Sequence, residues 1–167
     1  SDGAGGYLKA VGDESYATLV KNGNNTFTLT DKHGTAHNFS TTGYLTSVVD
    51  SNGNTPSYTY TSDKLTKITD PFGREINFTF TSGLLSSLTD FASRTNSLSY
   101  TSTRLTGVTL TDPDGKGALS APVDSYSYDG TTHLLTSHTD PLSQATSYAQ
   151  QLFTSQFANV LMQGTDA

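Results

Sequence analysis

An internal repeat with a period of 20 residues constrains the fold of this chain more than any other feature. Leucine stands at this interval in four places, each followed three positions later by a second apolar residue: Leu45 and Val48, Leu65 and Ile68, Leu85 and Leu88, Leu105 and Val108. Self-similarity at a fixed period is the signature of a repeat architecture, in which each unit packs against its neighbours. The sequence therefore predicts a series of similar units.

Each unit also carries residues that favour turns. In the first three units an aspartate lies two residues after the second apolar position, and glycine or serine follows three residues later. Asp, Asn, Pro and Gly are typical of turns because they bond to nearby backbone or accept unusual dihedral angles. The predicted repeat turns contain Asp50, Gly53, Asp70, Gly73, Asp90, Asp112, Gly115 and Asp140.

An alternating strand follows each of these turns, as in residues 58–61 (Tyr-Thr-Tyr-Thr) and 78–81 (Phe-Thr-Phe-Thr). Alternation with period two gives a strand one aromatic face and one hydroxyl face. Because 20 is even, successive units present their apolar residues on the same side, which predicts a stacked apolar ladder. The predicted repeat core is Leu45, Val48, Tyr58, Tyr60, Leu65, Ile68, Phe78, Phe80, Leu85, Leu88, Leu98, Tyr100, Leu105, Val108, Tyr126 and Tyr128.

The composition favours strands over helices. Thr, Ser, Gly and Asn are abundant, whereas Glu14 and Glu75 are the only two glutamates, so long helices are disfavoured by propensity. We predict an all-β fold of tandem antiparallel hairpins, with a period of about 20 residues, forming a twisted or spiralling strip. Residues 1–24 are predicted to precede the repeats, and residues 25–167 to form them.

Several classes of function are disfavoured by the sequence. The net charge of −6 opposes binding to nucleic acid, and no apolar run approaches the roughly 20 residues that a membrane-spanning helix needs. No G-x-S-x-G motif is present, and the aspartates stand where turns are expected. We therefore expect no enzyme activity, no catalytic residues and no cofactor.

A few side chains are candidates for metal binding or modification. The pairs His33/His37 and His133/His138 suit a metal site across two strands, and residues 50–54 resemble the first half of a calcium loop. Thr61 stands where such a loop has its bidentate Glu, and histidines are more often surface residues, so we expect no metal site. Asn24, Asn38 and Asn77 fit the N-glycosylation pattern.

The repeat resembles the RHS/YD-repeat family. Residues 43–53 (GYLTSVVDSNG), followed by Tyr58 and Tyr60, are similar to its G-R-L-T, D-x-x-G and Y-x-Y-D consensus. The resemblance implies hairpins wound into a shell or scaffold, as in bacterial polymorphic toxins, toxin-complex shells, wall-associated proteins and teneurins. Only Tyr128-Asp129 keeps the Tyr-Asp pair, and Arg74 stands where a D-P-x-G-L self-cleavage motif requires Leu, so no protease site is implied.

Three functional interpretations follow. The chain is a structural segment of a secreted or cell-surface RHS/YD-type protein, such as a toxin-related bacterial shell, whose β-edges meet the remainder of a longer repeat chain. Alternatively, it polymerises with other copies of itself through exposed β-edges into an extracellular filament or adhesin. A third interpretation is a module that binds surface glycans through its Thr and Ser ladders.

Overall fold

A computed structural model describes residues 16–113 and 119–149. These residues form strands, turns and loops and contain no helix, and the order of the strands in the sheet follows the sequence. The predicted all-β class of tandem antiparallel hairpins is thereby confirmed. The strands are β1 Thr18–Lys21, β2 Phe27–Thr30, β3 Ala36–Phe39, β4 Leu45–Val49, β5 Ser57–Thr61, β6 Lys64–Thr69, β7 Glu75–Thr81, β8 Leu84–Thr89, β9 Thr95–Thr101, β10 Arg104–Thr109, β11 Val123–Tyr128, β12 Leu135–Thr139 and β13 Ala145–Ser147.

The chain divides into two compact units, residues up to Ser97 and residues from Leu98 onward, with the division inside β9. Part of the sequence segment predicted to precede the repeats belongs to the first unit's sheet, because β1 pairs with β2 from Thr18 to Lys21. Residues 1–15 of that segment, the predicted turn residue Gly115 and residues 150–167 lie outside the described residues.

The 20-residue period of the sequence is repeated in the strand register of the first unit. Tyr58 lies opposite Ile68 in the hairpin of β5 and β6, and Phe78 lies opposite Leu88 in the hairpin of β7 and β8. The second aromatic residue of β5, Tyr60, likewise lies opposite Leu65. The second aromatic residue of β7 lies opposite the equivalent leucine of β8. The apolar residues thus meet in cross-strand pairs, which are the stabilising units of a sheet.

A β-bulge explains how two apolar residues three positions apart reach the same face. In a regular strand Leu65 and Ile68 would point to opposite faces, because side chains alternate. The register shifts between Thr59 and Tyr60, so that Thr66 is the extra residue on β6. Its hydroxyl donates to the carbonyl oxygen of Thr59 at 3.2 Å, which holds the bulge in place.

The same bulge recurs in neighbouring hairpins, always with a hydroxyl residue directly after the leucine. The Ser86 hydroxyl donates to the Thr79 carbonyl at 3.1 Å, and the Thr46 hydroxyl donates to the Asn38 carbonyl at 3.0 Å. The repeat therefore specifies a bulge in each of these hairpins as well as a turn, and the bulge keeps the apolar residues of both strands in register.

In the second unit, β10 pairs with β11, β11 with β12, and β12 with β13. The register between β11 and β12 shifts between Ser127 and Tyr128. Gly107 of β10 is the one fully buried residue of the described part of the chain. A Cβ at this position would lie 3.5 Å from the Asp124 carbonyl oxygen.

The apolar ladder is a half-exposed face of the sheet. Among residues 16–113 and 119–149 no hydrophobic side chain is buried, and all sixteen residues predicted for the repeat core are half-buried. Each of these apolar side chains is shielded by its cross-strand neighbours, but the described residues form no second layer above it. We call this side of the sheet the apolar face. No described segment forms a helix that is long and apolar enough to span a membrane.

Candidate functional site

One kind of turn recurs along the chain and is built by an aspartate side chain. Oδ1 of Asp50 accepts hydrogen bonds of 2.8 Å from the backbone amides of Asn52 and Asn54. Gly53 donates its amide to the Asp50 carbonyl and has a φ of 84°, which glycine adopts without strain. The same pair of side-chain bonds, to the amides two and four residues later, is present at Asp31, Asp70, Asp90 and Asp140.

Two positions of this aspartate turn vary between repeats. Ser93 and Ser143 occupy the glycine position with φ values of 61° and 63°. In the turn between β3 and β4, Ser40 replaces the aspartate and accepts from the Tyr44 amide at 3.1 Å. The predicted turn residue Asp112 lies in the loop between β10 and β11, and Pro113 is the last described residue before residues 114–118.

Arginine side chains close two of these turns. Nε of Arg74 donates to Oδ2 of Asp70 at 2.5 Å, and Nε of Arg94 donates to Oδ2 of Asp90 at 2.7 Å. Hydrogen bonding from the Arg94 side chain is the main cause that lowers the pKa of Asp90. Desolvation acts to raise the pKa of Asp70, but hydrogen bonds from the Arg74 amide and guanidinium outweigh it, so that this pKa is also lowered.

The turns of Asp31 and Asp50 stabilise the ionised carboxylate without an arginine. The side-chain amide of Asn54, which donates to Oδ2 of Asp50 at 2.6 Å, is the main cause that lowers the pKa of Asp50. The backbone amide of Thr35 is the main cause that lowers the pKa of Asp31. These carboxylates hold the ends of adjacent strands together, and their oxygens are already engaged by groups of their own turn.

The candidate metal ligands have different environments, and His37 is a half-buried residue of β3. His138 pairs through Nε2 with Oδ1 of Asp124 at 2.7 Å and stacks on Tyr126. His33 and His133 are exposed loop residues. Within the described ranges, no three His, Asp or Glu side chains are grouped so as to hold a metal ion. The carboxylate that would begin the calcium half-loop, Asp50, is bound to its own turn.

The three candidate glycosylation sites have different environments. Asn24 and Asn77 are exposed. Asn38 is half-buried, and its amide nitrogen donates to the Ser47 hydroxyl at 3.1 Å while its oxygen accepts from Thr28 at 3.0 Å. A glycan on Asn38 would break this pair of cross-strand hydrogen bonds, so Asn24 and Asn77 are the better placed acceptors.

The hydroxyl residues proposed for a glycan-binding ladder lie on the face opposite the apolar face. Thr59, Thr79 and Ser99 are exposed, as are the residues two positions after each of them. The hydroxyl of Thr81 donates to that of Ser86 at 3.1 Å. Exposed Thr on a strand is also what β-propensity alone produces, so the ladder by itself does not define a ligand site.

A groove with an aromatic floor lies in the first unit, beyond the end of the pairing between β4 and β5. The two strands pair at Ser47 and Ser57, and Tyr44 and Tyr60 lie three positions further from the Asp50 turn. The rings of Tyr44 and Tyr60 lie 4.8 Å apart in this groove with an angle of 31° between their planes. The cavity has a volume of about 420 Å³ and is lined by Ser40, Thr42, Tyr44, Thr46, Tyr58, Thr59, Tyr60, Ser62 and Asp63. We call it the Tyr44 groove.

Sequence reasoning missed this groove and the turns that border it. Ser62 and Asp63 form a two-residue turn with φ values of 48° and 64°, and Ser82 and Gly83 form the equivalent turn 20 residues later with 51° and 83°. Positive φ at both positions defines the hairpin turn that favours Asn-Gly and Asp-Gly pairs. The Ser82-Gly83 pair between two alternating runs was the signal in the sequence that would have predicted this type of turn.

No family model matches the sequence, and the search of curated proteins also found no match.

Proposed function

We propose that the chain is an architectural repeat segment of a secreted or cell-surface protein of the RHS/YD type. The observation that carries this proposal is the recurrence of the same scaffold contacts at a constant interval. Asp50, Asp70 and Asp90 close identical turns, and the bulge residues Thr66 and Ser86 make identical bonds. Repetition of structural contacts supports a role in extending a sheet, since each unit adds surface in the same way.

The half-exposed apolar face supports the same role. A sheet with apolar residues on one side is normally covered by a second layer, and none of the described hydrophobic residues is buried. Further apolar surface lies at the aspartate turns, where Phe72 is 82% exposed and Phe91 is 60% exposed. The Arg74 guanidinium lies over both rings, at 5.6 and 5.3 Å from their centroids. Such surfaces suit contacts with neighbouring parts of a larger wall.

Polymerisation through strand edges is the competing proposal. The outer strands of the described sheet are short: β1 has four residues and β13 has three, all of them exposed in β13. An edge strand offers backbone donors and acceptors to another chain. Val20 of β1 is 45% exposed, so an added strand would gain an apolar neighbour there.

One measurement separates the two proposals. The size of the native particle is followed by light scattering across a concentration series, with electron microscopy of the same samples. The architectural proposal expects a monodisperse monomer at every concentration. Regular fibres would contradict it. If Val20→Lys then abolishes those fibres, whereas Thr59→Lys on the exposed face of the internal strand β5 leaves them intact, polymerisation through β1 is the function.

A further inference from the structure

The Tyr44 groove differs from the equivalent positions of the other repeats. Position 44 corresponds to Lys64 and Leu84 in the following units, and position 60 corresponds to Phe80 and Tyr100. In the next unit the Lys64 ammonium lies 5.4 Å from the centroid of the Phe80 ring. A pair of aromatic rings at this position therefore belongs to one unit alone among the three.

The carboxylate of the groove is also particular to this unit. Asp63 stands where Gly83 stands in the equivalent two-residue turn of the next unit. Its side chain is exposed, and none of the ion pairs formed within the described part of the chain includes it. Asp63 and Tyr44 both line the groove, and hydrogen bonding to this carboxylate raises the pKa of the Tyr44 phenol. The scaffold does not require Asp63, because glycine suits a positive φ better.

The lining of the groove is amphipathic. The Tyr44 and Tyr60 rings form a tilted platform, and Ser40, Thr42 and Ser62 add hydroxyl groups around it. A ligand that fits must present an apolar face to the rings and hydroxyl donors to the carboxylate, because buried polar groups need partners. A pyranose ring has both, since its C–H groups form an apolar face and its hydroxyls project from the rim.

Charged ligands fit the groove less well. An anion would be repelled by Asp63 and by the net charge of −6. An organic cation is usually held in a cage of aromatic rings, whereas the Tyr44 and Tyr60 rings, with centroids 4.8 Å apart, form a single platform and do not enclose an ammonium group. The volume of about 420 Å³ lies within the range of small-molecule sites.

We propose that the Tyr44 groove binds an uncharged hexopyranose ring of a glycan, with the tyrosine rings under the sugar and Asp63 accepting hydrogen bonds from its hydroxyls. This proposal does not depend on the architectural role of the chain, because the residues that carry it are those by which this unit departs from the repeat.

The test is a titration of the full chain followed by NMR. The probes are methyl β-glucopyranoside, methyl β-galactopyranoside and N-acetylglucosamine, each raised to about 10 mM, since single sugars bind weakly. Saturation transfer to at least one sugar and shifts of backbone amide signals in residues 40–46 and 58–63 are expected. Absence of transfer to all three probes would overturn the proposal.

Two variants copy residues that the repeat itself accepts, so both are expected to fold. Tyr44→Lys gives the groove the residue type of position 64, and Asp63→Gly gives the turn the residue type of position 83. Each is expected to weaken binding about tenfold or more, which corresponds to about 1.4 kcal/mol. Leu84→Lys is the matched control, because it places the same lysine at the equivalent position of another unit, and it should leave binding unchanged.

Two further outcomes would also reject a sugar site in this groove. One is sugar binding that both groove variants retain while their far-UV circular dichroism shows an intact sheet. The other is binding of choline chloride, tested at the same concentration, in place of the sugars, which would identify the groove as a cation site.

Discussion

Replacing Phe78 by Ala measures how deeply the apolar face is covered in solution. Phe78 lies in β7 opposite Leu88 and is half-buried in the described sheet. If this side chain were enclosed in a core, its loss would cost about 3 to 5 kcal/mol, because a cavity would remain. On an open face the cavity cost is absent, since solvent and neighbouring side chains fill the space.

The expected magnitude follows from that geometry. Complete burial of a Phe side chain contributes about 1.5 to 3 kcal/mol, so half-burial contributes about half of this amount. Loss of the cross-strand pair with Leu88 adds a few tenths of a kcal/mol, up to about 1. We therefore expect Phe78→Ala to lower the free energy of unfolding by about 1 to 2 kcal/mol.

The assay is urea unfolding followed by far-UV circular dichroism, with the free energy taken from the midpoint at a constant m-value. Thr79→Val is the control, because Thr79 is exposed on the opposite face of the same strand, and its effect should stay within about 0.5 kcal/mol. A loss of about 3 kcal/mol or more for Phe78→Ala would refute the open face. Repeating the measurement at two protein concentrations would show whether another copy covers it.

Two further predictions concern the aspartate turns. Gly73→Ala should lower the melting temperature by about 2 to 8 °C, because φ is 80° there, and this cost is one of backbone conformation, since a Cβ would meet no other atom within 4 Å. Ser93→Gly should not lower the melting temperature, and equal losses in both variants would contradict this backbone explanation. The lowered pKa of Asp90 means that its contribution is complete above the ordinary value of 3.8 and is lost as the pH falls through the lowered value. The melting temperature should therefore be level from about pH 6 to about pH 4.5 and fall below about pH 4. In Asp90→Asn this fall should be less steep. A profile that stays level to about pH 2 would rule out ionised turn carboxylates as a source of stability.

The sequence predicted the strands and the aspartate turns because both depend on local chemistry. Alternation around Tyr58 and Phe78 indicates a strand wherever it occurs, and Asp50 accepts hydrogen bonds from amides only two and four residues away. The even spacing of the repeat also fixed which side of each strand is apolar. These features need no knowledge of distant contacts, and the register of β5 with β6 and of β7 with β8 agrees with them.

The sequence could not predict features that depend on how neighbouring strands pair. Leucine and the second apolar residue stand three positions apart, and only the bulge at Thr66 reconciles this spacing with a single apolar face. The Tyr44 groove forms where the Tyr44 and Tyr60 rings meet beyond the pairing of Ser47 with Ser57. Nothing in the sequence around Tyr44 states which ring lies beside it, since its partner comes from another strand.

In a repeat protein the positions that agree between units and the positions that differ have separate physical explanations. An agreeing position, such as the bulge residue Thr66 and its counterpart Ser86, is explained by a contact that every unit needs. A position that differs between units has no such explanation, and its residue can have a function that only one unit performs. Asp63 is the clearest case, because its φ of 64° favours a glycine such as Gly83 in the next unit. A residue that is less favourable for the backbone than the alternative points to a role outside the scaffold. Because Asp63 lines the Tyr44 groove, this groove is the first place to look for a ligand.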